Sequence, residues 1–236
     1  MTKYRYDAIL SNYPPFGEKQ MTTTLYGYWR SLAAFRVRAA LNYKEVSFTE
    51  KIIDLSQGDQ FSASYHELNP QHVIPLLEHQ GKKITQSLAI LEYIDQVWPT
   101  KPLLPKDPYE QAYLRSISQI TIADTHPLVV PRVRNFLGKT YHQDEAGQTA
   151  WAQHWLNLGS LAIEERLLGE KLYGQFCLGD TLSLADLALA SHVVGARIFK
   201  ADLSHCPTLI RIVDRVLEIP SIGMSHPLKQ PGAPKM

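Results

Sequence analysis

Cysteine is nearly absent from this 236-residue chain, which has only Cys177 and Cys206. A single bridge between them stays open, but a disulfide framework is excluded, and two sparse thiols suit a reducing compartment. Long apolar runs are missing too. The longest, Ala185 to Ala196, is broken by Asp186, Ser191 and His192, far short of the ~18 uninterrupted apolar residues of a spanning helix. Charge of one sign is not in excess: 24 basic residues face 23 acidic ones, a net of +1. Nothing electrostatic therefore selects nucleic acid or an anionic membrane as partner. Nine histidines are scattered, and His66, His72 and His79 have no companion at ligand spacing, so no metal site is expected. A P-loop, a GxGxxG fingerprint and a nucleophile elbow are all lacking, which removes the phosphate-binding and hydrolase readings. The N-terminus has neither the apolar stretch nor the cleavage site of a signal peptide, and the cytoplasm is the expected location.

What is present is globular. At 44% hydrophobic residues the chain is too apolar for disorder, and its length fits one large domain or two small ones. Residues 1–21 carry Tyr4, Tyr6, Pro14, Pro15 and Gly17 without a helical or strand period. They read as an N-terminal extension, either an extended arm or sequence ahead of a native start at Met21. From Thr22 the pattern is regular. Thr22–Trp29 reads as a strand, and Ser31–Tyr43 as a helix with Ala33, Val37, Ala40 and Leu41 on one face. Val46–Ile53 reads as a second strand. Ile74–Glu78 and Lys83–Thr85 form a hairpin around Gln80 and Gly81, and Ser87–Trp98 is an amphipathic helix. The order is β-α-β and then β-β-α. Residues 99–108 hold four prolines and read as a linker. Beyond it Tyr109–Leu137, Ala150–Leu168, Leu184–Phe199 and Pro207–Leu217 all have a helical period, so 109–236 is expected to be an all-helical domain. Ser183 and Asp186 match a capping box at the start of the third of these.

Three signals in the first ninety residues could carry chemistry. Ser31 lies between a strand and a helix; it is either a helix cap or a hydroxyl donor to an anion at a helix N-terminus. Ile74-Pro75 opens a strand, and a proline there suggests a cis bond that exposes the Ile74 backbone for pairing with an extended peptide. Gln86 and Ser87 open a helix where polar side chains and free N–H groups would hold a carboxylate. Together they describe a peptide-sized acidic ligand lying across a thioredoxin-like sheet.

These residues resemble a known family. Tyr28 to Leu41 (YWRSLAAFRVRAAL) is similar to the signature of zeta-class glutathione transferases, the maleylacetoacetate isomerases: aromatic-x-R-S-S-C/A-x-aromatic-R-V-R-I-A-L. Further matches are Leu68 to Pro70, Ile74 to Leu77, Gln86 to Ile94, Leu103 to Pro105, His126 to Leu128, Asp180 to Asp186, Phe199 to Leu203 and Ser225 to Pro227. The resemblance runs from Leu25 to about Pro234. It implies an α/β thioredoxin-like N-terminal domain, an all-α C-terminal bundle, a homodimer, and glutathione as the bound tripeptide. By position it makes Ser31 the donor to the glutathione sulfur and Ile74 the backbone partner of the cysteinyl part. Gln86 and Ser87 become the holders of the γ-glutamyl end, Gln60 a further contact, and His126 a lining residue from the helical domain.

The implied chemistry is isomerisation. A free thiol with a pKa of about 8.5 is only a few per cent ionised at neutral pH, and a hydroxyl plus a helix N-terminus stabilises its thiolate. Addition of that thiolate to a maleyl double bond permits rotation, and elimination leaves the fumaryl isomer with glutathione regenerated. A dicarboxylate substrate calls for cations, for which Arg30 and Arg197 are the candidates, whereas Arg36 and Arg38 read as structural ion-pair partners. The chain departs from the family pattern at Leu32, at Val129 and Val130, and at Ile198. There the family's arginine is displaced to Arg197, a turn of about 100° around a helix. Two other functions stay open: a transferase that conjugates or dehalogenates small electrophiles, and a non-catalytic glutathione carrier. A glutaredoxin-like oxidoreductase is disfavoured because positions 31–34 contain no cysteine.

Overall fold

The computed structural model describes residues 23–234; the reading of 1–21 as an extension lies outside the described residues. Four strands form one mixed sheet in the order β2-β1-β3-β4. β1 (Thr23–Gly27) pairs in parallel with β2 (Thr49–Ile52) and antiparallel with β3 (Leu76–His79), which pairs antiparallel with β4 (Lys82–Thr85). In the register Leu25 stands opposite Leu77, and both are fully buried. Gln80 and Gly81 both have positive φ, 53° and 76°, as the two-residue turn of a tight hairpin requires.

Three strands are shorter than their residue pattern suggests, for local reasons. β1 ends at Gly27 because the chain then turns, the Tyr28 carbonyl accepting the Ser31 N–H at 3.0 Å. β2 starts at Thr49 because the Val46 N–H is bonded to the Leu41 carbonyl at 2.9 Å, closing the preceding helix. β3 starts at Leu76 because Pro75 has no N–H to give a ladder.

Helix α1 (Leu32–Tyr43) departs most from expectation. A single apolar face is predicted, yet every residue from Ala34 to Leu41 is buried, Arg36 and Arg38 included. The helix lies between two layers. One side packs on α3 (Ser87–Val97), the other on α8 (Leu184–Phe199) of the helical part. One hydrophobic core therefore runs through both halves, from Leu25, Val37, Leu77 and Ile90 to Leu184, Leu189 and Val193. The two helices approach tightly at Gly195, where an added Cβ would lie 2.6 Å from Leu32 Cδ1. Leu32, the departure from the family's serine, thus packs into this joint. Lys44, whose side chain is fully buried, ties the end of α1 to the proline-rich segment: its Nζ donates to the carbonyls of Trp98, Thr100 and Lys101 and pairs with Asp95 at 2.7 Å.

The helical part opens with α4 (Pro108–Gln119), which widens into a π-helical turn over Ile120–Thr125 before a short α5 (His126–Val129). The period predicted from Tyr109 to Leu137 is therefore not one helix. Pro131 has no N–H to continue α5, so it starts α6 (Pro131–Tyr141) instead. After α7 (Glu145–Glu170) comes α8, whose capping box forms as predicted: Asp186 accepts from the Ser183 N–H at 2.8 Å and the Ser183 hydroxyl at 2.6 Å, and also from the Cys177 N–H at 2.8 Å. Helices α9 (Pro207–Glu218) and α10 (Pro220–Met224) close the bundle. No helix among the described residues is long and apolar enough to cross a membrane. Cys177 and Cys206 are buried free thiols.

Candidate active site

Ser31 stands where β1 has turned into α1. Its backbone is extended (φ −73°, ψ 113°), and its Oγ accepts the Ala34 N–H at 3.1 Å. That is the geometry of an N-cap. The cap uses the hydroxyl oxygen only as an acceptor, which leaves the O–H hydrogen free to donate outward. The two roles open to Ser31 in the sequence are thus compatible, and the N–H groups of the first turn of α1 point the same way.

The next element is the start of α3. Gln86 has φ 69° and ψ 115°, a left-handed conformation costing a non-glycine residue about 1–3 kcal/mol, of the kind that clusters at ligand clamps. Among the described residues no side chain caps the first turn of α3, which leaves its N–H groups to a ligand. The Gln86 side chain reaches Gln71, Nε2 to Oε1 at 3.1 Å. Ser87 is only 5% exposed, and its Oγ accepts from Arg36 Nη1 at 3.0 Å.

Between these two helix starts runs the loop before β3. The Ile74–Pro75 bond is cis. Tyr65 Oη and Asn69 Nδ2 both donate to the Val73 carbonyl, at 2.8 and 2.7 Å, and pin the chain ahead of it. Ile74 lies just outside the ladder, and its N–H and C=O have no partner among the described residues. Gln60 sits on the neighbouring turn (Asp59–Phe61). Its carbonyl accepts from His72 Nδ1 at 2.7 Å, while its side-chain Oε1 is buried without a partner. An unpaired backbone edge, an unpaired amide oxygen and an uncapped helix start suit an extended peptide with a charged end.

The helical part contributes His126, the first residue after the π-helical turn. Desolvation, helped by Arg36, His192 and Arg132 facing it, pushes its imidazole well below the usual range, so it stands neutral. The two predicted cationic anchors have different fates. Arg30 is exposed and belongs to no ion pair among the described residues. Arg197 is also exposed, but its Nη2 is engaged by Asp214 of α9 at 2.7 Å. A cation absent from the predicted set is close enough to feel the charge of Arg30. Arg134 of α6 is half-buried, its guanidinium 5.0 Å from the centre of the Phe199 ring and its Nε donating to the Val129 carbonyl at 3.2 Å. Burial, and then the like charge of Arg30, lower its pKa. Arg134 also lacks an ion pair among the described residues. The sequence hint was the basic run after the His126 block. Its direction depends on the break at Pro131.

Of the two arginines read as structural, Arg38 conforms: it holds Glu50 with two bonds of 2.8 and 2.6 Å. Arg36 does not. It is fully buried, yet its partners are Ser87 and Ser191, and no carboxylate.

Comparison with known proteins agrees with this geometry. The N-terminal domain of glutathione S-transferases matches residues 21–96. The maleylacetoacetate isomerase of Dictyostelium discoideum is 40% identical over 213 residues, covering 89% of this chain and 96% of that protein. The crystal structure of maleylacetoacetate isomerase from Methylobacterium extorquens AM1, with bound malonate and glutathione, superposes with a TM-score of 0.87 at 43% identity, covering 90% of this chain and all of that one (100%). A holo maleylpyruvate isomerase described as a zeta-class bacterial glutathione transferase also gives 0.87, at 32% identity, with 89% and 100% covered.

Proposed function

The chain belongs to the maleylacetoacetate isomerase family of glutathione transferases, and on that premise we propose that it is a glutathione-dependent cis–trans isomerase converting maleylacetoacetate, or a similar maleyl compound, to its fumaryl isomer. The observation that carries this reading is Ser31, a helix cap with a free O–H at a helix N-terminus, next in sequence to Arg30, whose charge is felt by Arg134 of α6.

The residues present fit glutathione. Ile74 offers its backbone to the cysteinyl part, Gln86 and Ser87 offer donors to the γ-glutamyl end, and the unpaired Gln60 Oε1 accepts a donor of the tripeptide. When bound, glutathione supplies a thiol whose ionised form adds reversibly to an activated cis double bond. The protein's own part is to hold that thiol ionised and its partner in place. Ser31 donates its hydrogen to the sulfur, and the N-terminus of α1 adds positive potential. Arg30 and Arg134 bind the carboxylates of the substrate and orient it. Neutral His126 lines the pocket from the helical side, while Val129 packs into the core of the helical part with Ala152, Leu156 and Ala196. The Methylobacterium relative, whose crystal structure holds both malonate and glutathione, supports a dicarboxylate here.

Residues 22–98 serve in this reading as the glutathione-binding domain, joined by the linker 99–108 to the helical domain 109–236. The protein acts in the cytoplasm as a homodimer, and its maleyl substrate places it in tyrosine breakdown.

The test is turnover of maleylacetoacetate and maleylpyruvate with substoichiometric glutathione, following absorbance of the fumaryl product. Product far exceeding the glutathione supplied is expected. Consumption of glutathione with a haloacid, without isomerisation, would overturn this in favour of a conjugating transferase. Binding with neither activity would leave a carrier.

A further inference from the structure

Arg36 is a buried cation without an anion. It is 1% exposed and belongs to none of the ion pairs among the described residues. An uncompensated charge in a protein interior costs several kcal/mol, and a structure that keeps one has a use for it. Its three nitrogens show where that use lies. Nε donates to Ser191 Oγ at 2.6 Å, and Nη1 donates to Ser87 Oγ at 3.0 Å, while Nη2 is buried with no partner.

The two serines differ in what they do next. Ser191 passes its own hydrogen to the Ala188 carbonyl at 2.6 Å, so that branch ends inside α8. Ser87 already accepts from the guanidinium, so its hydrogen must point away from Arg36, and no acceptor for it exists among the described residues. The unmatched Ser87 hydroxyl therefore lies at the uncapped start of α3, beside the strained Gln86, and the guanidinium that holds it keeps a second unmatched donor, Nη2, buried among the described residues. A carboxylate bound at that helix start would accept the Ser87 hydrogen and supply the negative charge that the guanidinium behind it lacks.

We propose that Arg36 is a positioning residue for glutathione, holding the Ser87 hydroxyl as an outward donor and supplying from behind it the counter-charge for the α-carboxylate of the γ-glutamyl residue. This rests on the reading that the γ-glutamyl end sits on Gln86 and Ser87. Burial brings the guanidinium down to about 9, which leaves it charged at neutral pH. Three elements meet at that charge, since Arg36 rises from α1, Ser87 opens α3 and Ser191 lies in α8. Glutathione affinity is thereby coupled to the packing of the two halves of the molecule.

The test is calorimetric binding of two tripeptides that differ in one group: glutathione, and 4-aminobutyryl-Cys-Gly, which lacks the α-carboxylate. The unaltered protein is expected to prefer glutathione by about a hundredfold, the range of hydrogen bonds to a charged group. Arg36→Gln should cut that preference to about fivefold or less by weakening glutathione alone, while Arg36→Lys, which keeps the charge, should retain an intermediate value. Folding is followed by circular dichroism and melting. A folded Arg36→Gln protein with the full preference overturns the proposal and leaves the glutathione site standing. No preference in the unaltered protein overturns the site reading itself, and the proposal with it. Should Arg36→Gln fail to fold, Ser87→Ala decides: with Arg36 in place part of the preference must survive, and its complete loss assigns the carboxylate to Ser87 alone.

Discussion

Ser31 has two jobs in one side chain, and replacing it with aspartate pulls them apart. Its Oγ accepts the Ala34 N–H at 3.1 Å and so caps α1. Losing that cap to alanine costs about 1 kcal/mol, whereas aspartate caps about as well as serine. The outward O–H is a separate contribution. A hydrogen bond to an ionised group is worth roughly 1.5–3 kcal/mol, and about 1.4 kcal/mol corresponds to one pKa unit. Removing the donor should therefore raise the thiol of bound glutathione by about one to two units and cut the ionised fraction at neutral pH at least about tenfold. Ser31→Ala should lose both the cap and the donor. Ser31→Asp should keep stability near that of the unaltered protein, yet lose at least as much activity, because it sets a negative charge where the thiolate must form. The assays are urea unfolding, thiolate absorbance of the glutathione complex against pH, and isomerase turnover. If Ser31→Asp kept activity within about threefold, Ser31 would be a cap and nothing more, and the mechanism would fall.

Other consequences can be measured on the same protein. Burial lowers His192 to about 4, and desolvation likewise depresses His126. Between about pH 6.5 and 4 the unfolded chain binds more protons than the folded one, so stability rises with pH across that window. His192 alone should cost about 2 kcal/mol at about pH 5; a His192→Gln variant that folds and keeps the full acid-dependent loss in urea melts would refute the assignment. Gly195→Ala should destabilise by about 1–3 kcal/mol, because its Cβ meets Leu32 Cδ1 at 2.6 Å. The penalty should shrink in a Leu32→Ala background, and a double-mutant cycle showing no coupling would contradict the packing. Asp186→Ala strands the buried Cys177 and Ser183 donors and should cost roughly 3–5 kcal/mol, read by denaturation. Arg134→Leu should raise KM for the dicarboxylate about tenfold or more with glutathione affinity unchanged, while Arg197→Ala should change neither. The reverse pattern would restore Arg197 as the anchor.

The parts of the site readable along the chain were those whose signal is local. A serine ahead of a helical period is a cap, and Ser31 caps. Proline after Ile74 interrupts a strand, and the ladder begins only at Leu76. Ser183 and Asp186, three apart, close their box because both partners belong to the same turn. The residues misjudged answer to distant neighbours. Arg36 and Arg38 lie two apart on one helix and look equivalent, yet β2 gives Arg38 a carboxylate while α3 and α8 give Arg36 only hydroxyls. Arg134 has no local signal, because the helical period runs on through Pro131, where the backbone does not.

Periodicity, capping chemistry and the proline-rich stretch were enough to state an α/β unit followed by helices, and the spacing around Ser31 and Gln86 was enough to name a ligand class. These are near-neighbour effects, decided by which residues share a turn or a strand face. Packing decided the rest. The burial of α1 on both sides, the like-charge influence of Arg30 on Arg134 of α6, and the lone charge of Arg36 between two serines all arise where two halves of the chain meet. Which charges find partners there depends on side chains more than a hundred residues apart, as the separation of 155 between Arg36 and Ser191 illustrates. No pattern along the backbone encodes that meeting, because the free energy of a buried charge is set by everything that surrounds it in space.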